Sequence, residues 1–140
     1  MTVTISTDEA QSGWLKIKIL GNATAVGLVG QVYNPEGVLL QIVDALLYVY
    51  TASTAASTFN IGVGASGADA STIVSAVDMN AAGSGTVWKA IGTDLASQAA
   101  ATTPKGLLWP ATSYLTITSA AAASTDLVAY LFVRYLRLAD

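Results

Sequence analysis

Gly62-Val63-Gly64-Ala65-Ser66-Gly67 spells G-x-G-x-x-G directly after an alternating apolar segment. That spacing cradles a dinucleotide pyrophosphate when a helix starts at the turn, within a parallel βαβ unit and with an acidic residue about 20 positions on to hold a ribose. Near Val87 there is no acid, because Asp78 comes too early and Asp94 too late. The string reads as a β-turn, and no cofactor is expected. The nine carboxylates, Asp8, Glu9, Glu36, Asp44, Asp69, Asp78, Asp94, Asp126 and Asp140, would be the raw material of a glycosidase pair. Nearly all fall in turn-like segments, where Asp side chains bond their own backbone. Asp69 and Asp78 with neighbouring carbonyls would suit calcium, yet no EF-hand or repeat spacing supports a metal site.

The chain of 140 residues has no histidine and no cysteine. Those absences remove Ser-His-Asp and Cys-His nucleophiles, thiolate chemistry, disulfides and the usual zinc sites. The chain is read as a non-enzyme. Charged residues make up 11% of it, against the usual quarter or so, and the net charge is −3. The hydrophobic fraction is 53%, of which alanine supplies 25 residues. The larger apolar and aromatic residues that remain still exclude a disordered chain. With few charges to solvate its outside and a mean hydropathy of +0.55, the chain reads as an assembly subunit whose apolar surplus another copy or another protein covers.

The elements that must carry these residues are strands. Residues 2–6 alternate, with Val3 and Ile5 opposed to Thr2, Thr4 and Ser6, and would suit addition to a neighbour's sheet edge. In 14–20, Leu15, Ile17 and Ile19 oppose Trp14, Lys16 and Lys18. Residues 25–33 are apolar but carry Gly27 and Gly30, the mark of a bulge or bend. Asn34-Pro35-Glu36-Gly37 is a strong turn. Residues 38–50 are apolar on both faces; a strand is favoured over a helix because Tyr48-Val49-Tyr50-Thr51 is β-prone. Phe59, Ile61 and Val63 point inward from 58–63. Residues 72–79 fit either a short helix capped by Ser71 or an irregular strand. Then come 86–91, a polar Ala-rich excursion over 92–105, an edge segment at 107–110, an alternating strand at 114–118, and a closing strand over 126–138, again apolar on both faces. Short strands between Gly/Ser/Asn/Pro turns predict an all-β, antiparallel sandwich or jelly roll of about eight strands with at most one short helix. The whole of 1–140 is assigned to one domain, with 1–12 as an N-terminal arm or part of the sandwich.

A carboxylate inside an apolar strand needs a partner, so Asp44 is expected to pair with Arg134 or Arg137, within a subunit or across a contact. The two twin-faced strands nominate Leu40, Ile42, Asp44, Leu46, Tyr48, Tyr130, Phe132 and Arg134 as the oligomer or partner interface. Trp88 and Trp109, bordering the long connections, are the alternative, a stacking platform for a glycan. Six cations, scattered and outnumbered, do not make a nucleic-acid footprint. No apolar run reaches the length of a membrane helix, and no targeting signal is visible. Asn22-Ala23-Thr24 matches the glycosylation sequon, here read as a chance match.

The order of segments also resembles a known family. Asn60-Ile61-Gly62-Val63-Gly64, Ser71-Thr72-Ile73-Val74-Ser75-Ala76-Val77-Asp78, a Trp-containing segment, Tyr114-Leu115-Thr116-Ile117-Thr118 and a closing strand over 126–138 resemble the small β-sandwich decoration proteins of tailed bacteriophage heads. The likeness covers roughly residues 37–140 and rests on segment order and composition. It implies a jelly-roll-like subunit, a homotrimer seated on the major capsid protein at the virion surface and made in the host cytoplasm, with no catalytic residues. The alternative is a tail, fibre or spike component that binds a receptor or glycan.

Overall fold

The computed structural model describes residues 12–23, 25–80, 84–89 and 107–139. Within them the chain forms β1 (Ser12–Leu20), β2 (Gly27–Tyr33), β3 (Leu40–Thr51), β4 (Thr58–Gly64), β5 (Val74–Asp78), β6 (Val87–Lys89), β7 (Leu108–Trp109), β8 (Tyr114–Ala121) and β9 (Val128–Arg137). One sheet has the order β1-β9-β3-β6, with β7 also on β3; the second has β2-β8-β4-β5. Every pairing is antiparallel and the pairs nest, β1 with β9, β2 with β8, β3 with β6 and β4 with β5. A long hairpin wrapped into two layers gives this nesting, and it is the jelly-roll order. The all-β expectation holds. Residues 72–79 resolve as the irregular strand, β5, in which Ala76 takes φ 52°, and no helix occurs among the described residues. The alternating segment at 2–6 and the excursion at 92–105 lie outside them.

The two sheets meet over an apolar core to which β3 gives Leu40, Ile42, Ala45, Leu47 and Val49, and the second sheet gives Phe59, Ile61, Leu115 and Ile117. The β3 set breaks strict alternation. Ile42 pairs with Tyr135 and Asp44 with Arg134, so two β3 steps answer one β9 step and Val43 is an extra, bulged residue. The bulge resets the phase of the strand. Before it, even-numbered residues face the core; after it, odd-numbered ones do, and Asp44, Leu46 and Tyr48 turn outward. Asp44 supplies the reason, since a carboxylate pointing between the sheets would have to find a partner there or give up its charge.

Asn34, which is buried, fixes the crossover from β2 to β3. Its side-chain oxygen accepts hydrogen bonds from the backbone N–H of Glu36 and of Gly37, both at 3.0 Å. Its amide nitrogen donates to the carbonyls of Val38 and Trp109, each at 2.9 Å, and of Pro110 at 3.1 Å. One side chain thus closes the turn and ties it to β7. Gly37 has φ +68°, which a residue with a β-carbon adopts only with strain.

The second sheet is covered on its outside by its own chain. Residues 65–73, between β4 and β5, fold back as a strap. A β-carbon on Gly62 would lie 2.6 Å from the Thr72 nitrogen, and one on Gly64 would lie 3.0 Å from the Ala68 Cβ. The glycines of the G-x-G-x-x-G string are therefore sites of close backbone approach, where the strap crosses the sheet. Asp69 latches it: the Thr118 hydroxyl donates to the Asp69 carboxylate at 2.6 Å and the Asn60 amide at 2.9 Å. Gln31 holds the tip, accepting from the Gly67 N–H at 2.8 Å and donating to Ser66 Oγ at 3.0 Å. Under the strap Thr116 and Thr118 are buried although they sit on the outward side of β8.

Ile42 and Leu46 share sequence parity but lie on opposite sides of the bulge. Ile42→Ala should lower stability by about 2–5 kcal/mol, as for a buried aliphatic, and Leu46→Ala by less than about 1.5 kcal/mol, measured by urea unfolding; equal losses would refute the phase change. In the latch, the hydrogen bonds from Thr118 and then Asn60 hold the Asp69 pKa below its ordinary value. A pKa depressed by folding contributes stability that is present above the unfolded carboxylate pKa and is lost as pH falls through the folded one. Thr118→Val should raise the Asp69 titration midpoint, followed by carboxyl-carbon NMR, and an unmoved midpoint would show that the latch does not hold the carboxylate.

Candidate functional site

Among the described residues no segment straps the outside of the first sheet, and its side chains follow from register. Directly paired residues share a face, so Trp14, Arg134 and Asp44 form one cross-strand row and Lys16, Phe132 and Leu46 the next. The third row is Lys18, Tyr130, Tyr48 and Val87. Leu46, Tyr48, Tyr130 and Phe132 are half-buried in the middle of this surface. Around them Trp14 is 61% exposed, Tyr50 59%, Leu20 58% and Val87 54%. The solvated face of an antiparallel sandwich is ordinarily polar. Here the central rows are aromatic and aliphatic, the composition of a contact surface.

Two cations of this face rest on its rings. The Lys16 ammonium lies 4.7 Å from the centroid of the Tyr130 ring and 5.7 Å from that of Phe132, and the Arg134 guanidinium lies 5.7 Å from the Trp14 ring. Such contacts hold a cation over an aromatic face without neutralising it. Asp44 stands opposite Arg134 in register, but the single ion pair among the described residues is Arg137 with Glu36, at 3.9 Å. Within one subunit Asp44 is therefore only a register neighbour of Arg134, which turns to Trp14, while Arg137 is held by Glu36. At that end of the sheet the Tyr135 hydroxyl donates to Glu36 at 2.6 Å. Burial, then the hydrogen bond and charge of Glu36, push the Tyr135 pKa up to about 12. A β-carbon on Gly13 would collide with the Tyr135 ring and hydroxyl, so the glycine makes room for this cluster.

Of the residues nominated from sequence, Asp44, Leu46, Tyr48, Tyr130, Phe132 and Arg134 gather on this one face. Leu40 and Ile42 do not: they are 0% and 1% exposed and belong to the core, because the bulge at Val43 separates them from Leu46 and Tyr48. Of the two tryptophans, Trp109 is 0% exposed, and its indole N–H donates to the Ser113 carbonyl at 3.2 Å. It is a core residue and offers no stacking surface to a glycan. Trp88 lies in β6 at the position paired with Leu47. The nomination omitted Trp14, Lys16 and Lys18, whose shared parity in 14–20 was the available signal. Among the described residues no three acidic side chains converge on a metal-sized site, and Asp69 is bound up in the strap.

No protein-family model and no curated protein sequence matches the chain. Solved structures do. A chain in the capsid of Ralstonia phage GP4 superposes with a TM-score of 0.56 at 16% identity, over 99% of this chain and 91% of its own. A chain in the capsid asymmetric unit of cyanophage Pam1 does so with a TM-score of 0.54 at 16% identity, over 98% and 94%. At this identity the likeness is one of fold: this chain has, over nearly its whole length, a fold also found in chains of phage capsids.

Proposed function

We propose that the chain is a structural protein of a phage virion, a decoration or cement subunit that assembles as a homotrimer on the outside of the head, bound to the major capsid protein. The observation that carries this reading is the end-to-end fold match to chains of two phage capsids, with neither partner leaving a large part uncovered. The surface agrees with it. A cement protein works by adhesion, so it needs a rigid scaffold and a broad apolar contact rather than a reactive centre. The outer face of the first sheet supplies that contact with Leu46, Tyr48, Tyr130, Phe132, Asp44 and Arg134. Repetition over a shell adds avidity, so each contact can be modest while the array is durable. The subunit is made in the host cytoplasm and ends on the virion surface.

Two measurements test this. Light scattering after size exclusion should give about three times the chain mass of 14.3 kDa. Purified chain added to heads of the phage encoding it, prepared from a mutant lacking the gene, should cosediment with them and raise the temperature at which they release DNA. A monomer that leaves the heads unchanged would overturn the assignment.

A further inference from the structure

We infer that the outer face of the first sheet docks on an acidic surface of a different polypeptide, whose carboxylates meet Lys16, Lys18 and Arg134 around an apolar contact with Tyr130 and Phe132. The inference rests on the virion reading above and deepens it by naming the chemistry of the partner. Its basis is where the charges lie. The chain carries a net −3, yet Lys16, Lys18 and Arg134 stand on this face with one carboxylate, Asp44, and Lys89 holds the register position opposite Leu46. Glu36, Asp69, Asp78 and Asp126 belong to turns, strand ends and the strap. None of the three cations has an ion-pair partner among the described residues. Two of them lie over aromatic rings, which biases their positions before any partner arrives and lessens the side-chain freedom lost on docking.

A cation rim around an aromatic centre favours a partner of opposite charge, and it discourages some alternatives by repulsion. Two copies meeting face to face would bring two surfaces of the same positive charge together. A nucleic acid would meet three cations on a chain that is acidic as a whole, too few for phosphate-driven binding. An acidic protein surface satisfies both features of the face, since its carboxylates pair with the cations while its apolar patch covers the rings.

The test uses the full-length chain and heads of the encoding phage purified without it. Wild-type binding should weaken by about tenfold between roughly 50 mM and 500 mM sodium chloride, because exposed charge pairs are screened. The neutral variant Lys16→Gln/Lys18→Gln/Arg134→Gln should bind about tenfold less tightly at low salt, and the Glu triple variant about a hundredfold less, both remaining trimers by light scattering. The salt series needs no mutation and so stands even if a variant misfolds. Binding that ignores salt and both variants would overturn the inference while leaving the virion reading intact. Variants that fall apart into monomers would show that the face meets a second copy, which also overturns it. Wild-type chain that does not bind the heads at all would instead defeat the virion reading, and the partner with it.

Discussion

One extra residue in β3 determines what this protein shows to its surroundings. β3 lies in the interior of its sheet, flanked by β9 on one side and by β6 and β7 on the other, and it is apolar along nearly its whole length. An uninterrupted strand of this sequence would place Leu40, Ile42, Asp44, Leu46 and Tyr48 on one side, so a carboxylate would either enter the core with them or leave the core and take Leu40 and Ile42 along. Burying an unpaired carboxylate costs several kcal/mol, and exposing two large aliphatic side chains forfeits about 1.5–3 kcal/mol each. A bulge at Val43 avoids both losses at the cost of one disturbed ladder position. The core keeps Leu40 and Ile42, and the outer face receives Asp44, Leu46 and Tyr48 beside Arg134, Phe132 and Tyr130.

With so few charges, the position of each one carries meaning. Glu36 is engaged by Arg137 and by the Tyr135 hydroxyl, a cluster that secures the end of β9 against the turn built by Asn34. Asp69 holds the strap. The cations of β1 and Arg134 of β9 serve no such internal purpose: they form no ion pair among the described residues, and Lys16 and Arg134 sit over ring faces. The Glu36–Arg137 ion pair and the Asp69 hydrogen bonds anchor a strand end and a loop, while the cations in the middle of the first sheet have no ion-pair partner among the described residues.

Much of this was legible in the sequence because alternation is a local property. The parity of Leu15, Ile17 and Ile19 against Trp14, Lys16 and Lys18 set β1 correctly, and so did Phe59 and Ile61 for β4. The fold class followed from strand lengths and turn residues. What could not be read was phase within a strand that is apolar on both sides, because hydrophobicity does not distinguish core from contact surface there. Leu40 and Ile42 were misplaced for that reason, and Asp44 was the one residue whose chemistry demanded a reset. Trp109 borders a long connection in sequence, but its pairing with Leu40 turns it to the core side of β7, while Leu108 beside it is exposed. The strap was hidden inside a string of glycines that resembles a phosphate loop. Those glycines answer to the backbone that crosses them, a contact between segments that spacing alone does not encode.

The two outer faces of the sandwich are therefore unlike in a way that bears on function. Beside Leu28, Tyr33 and Tyr114 at its β2 side, the second sheet carries small residues, Gly62, Gly64, Thr116 and Thr118, and the chain's own strap packs over these, so that even outward-pointing threonines are buried. The first sheet carries large ones, and no described segment of the chain crosses them. The small-residue composition that gives the strap its seat on one side makes the bulky, cationic, aromatic composition of the other a specific feature of that sheet. A face built this way inside a chain so short of charge is best satisfied by a surface from outside it.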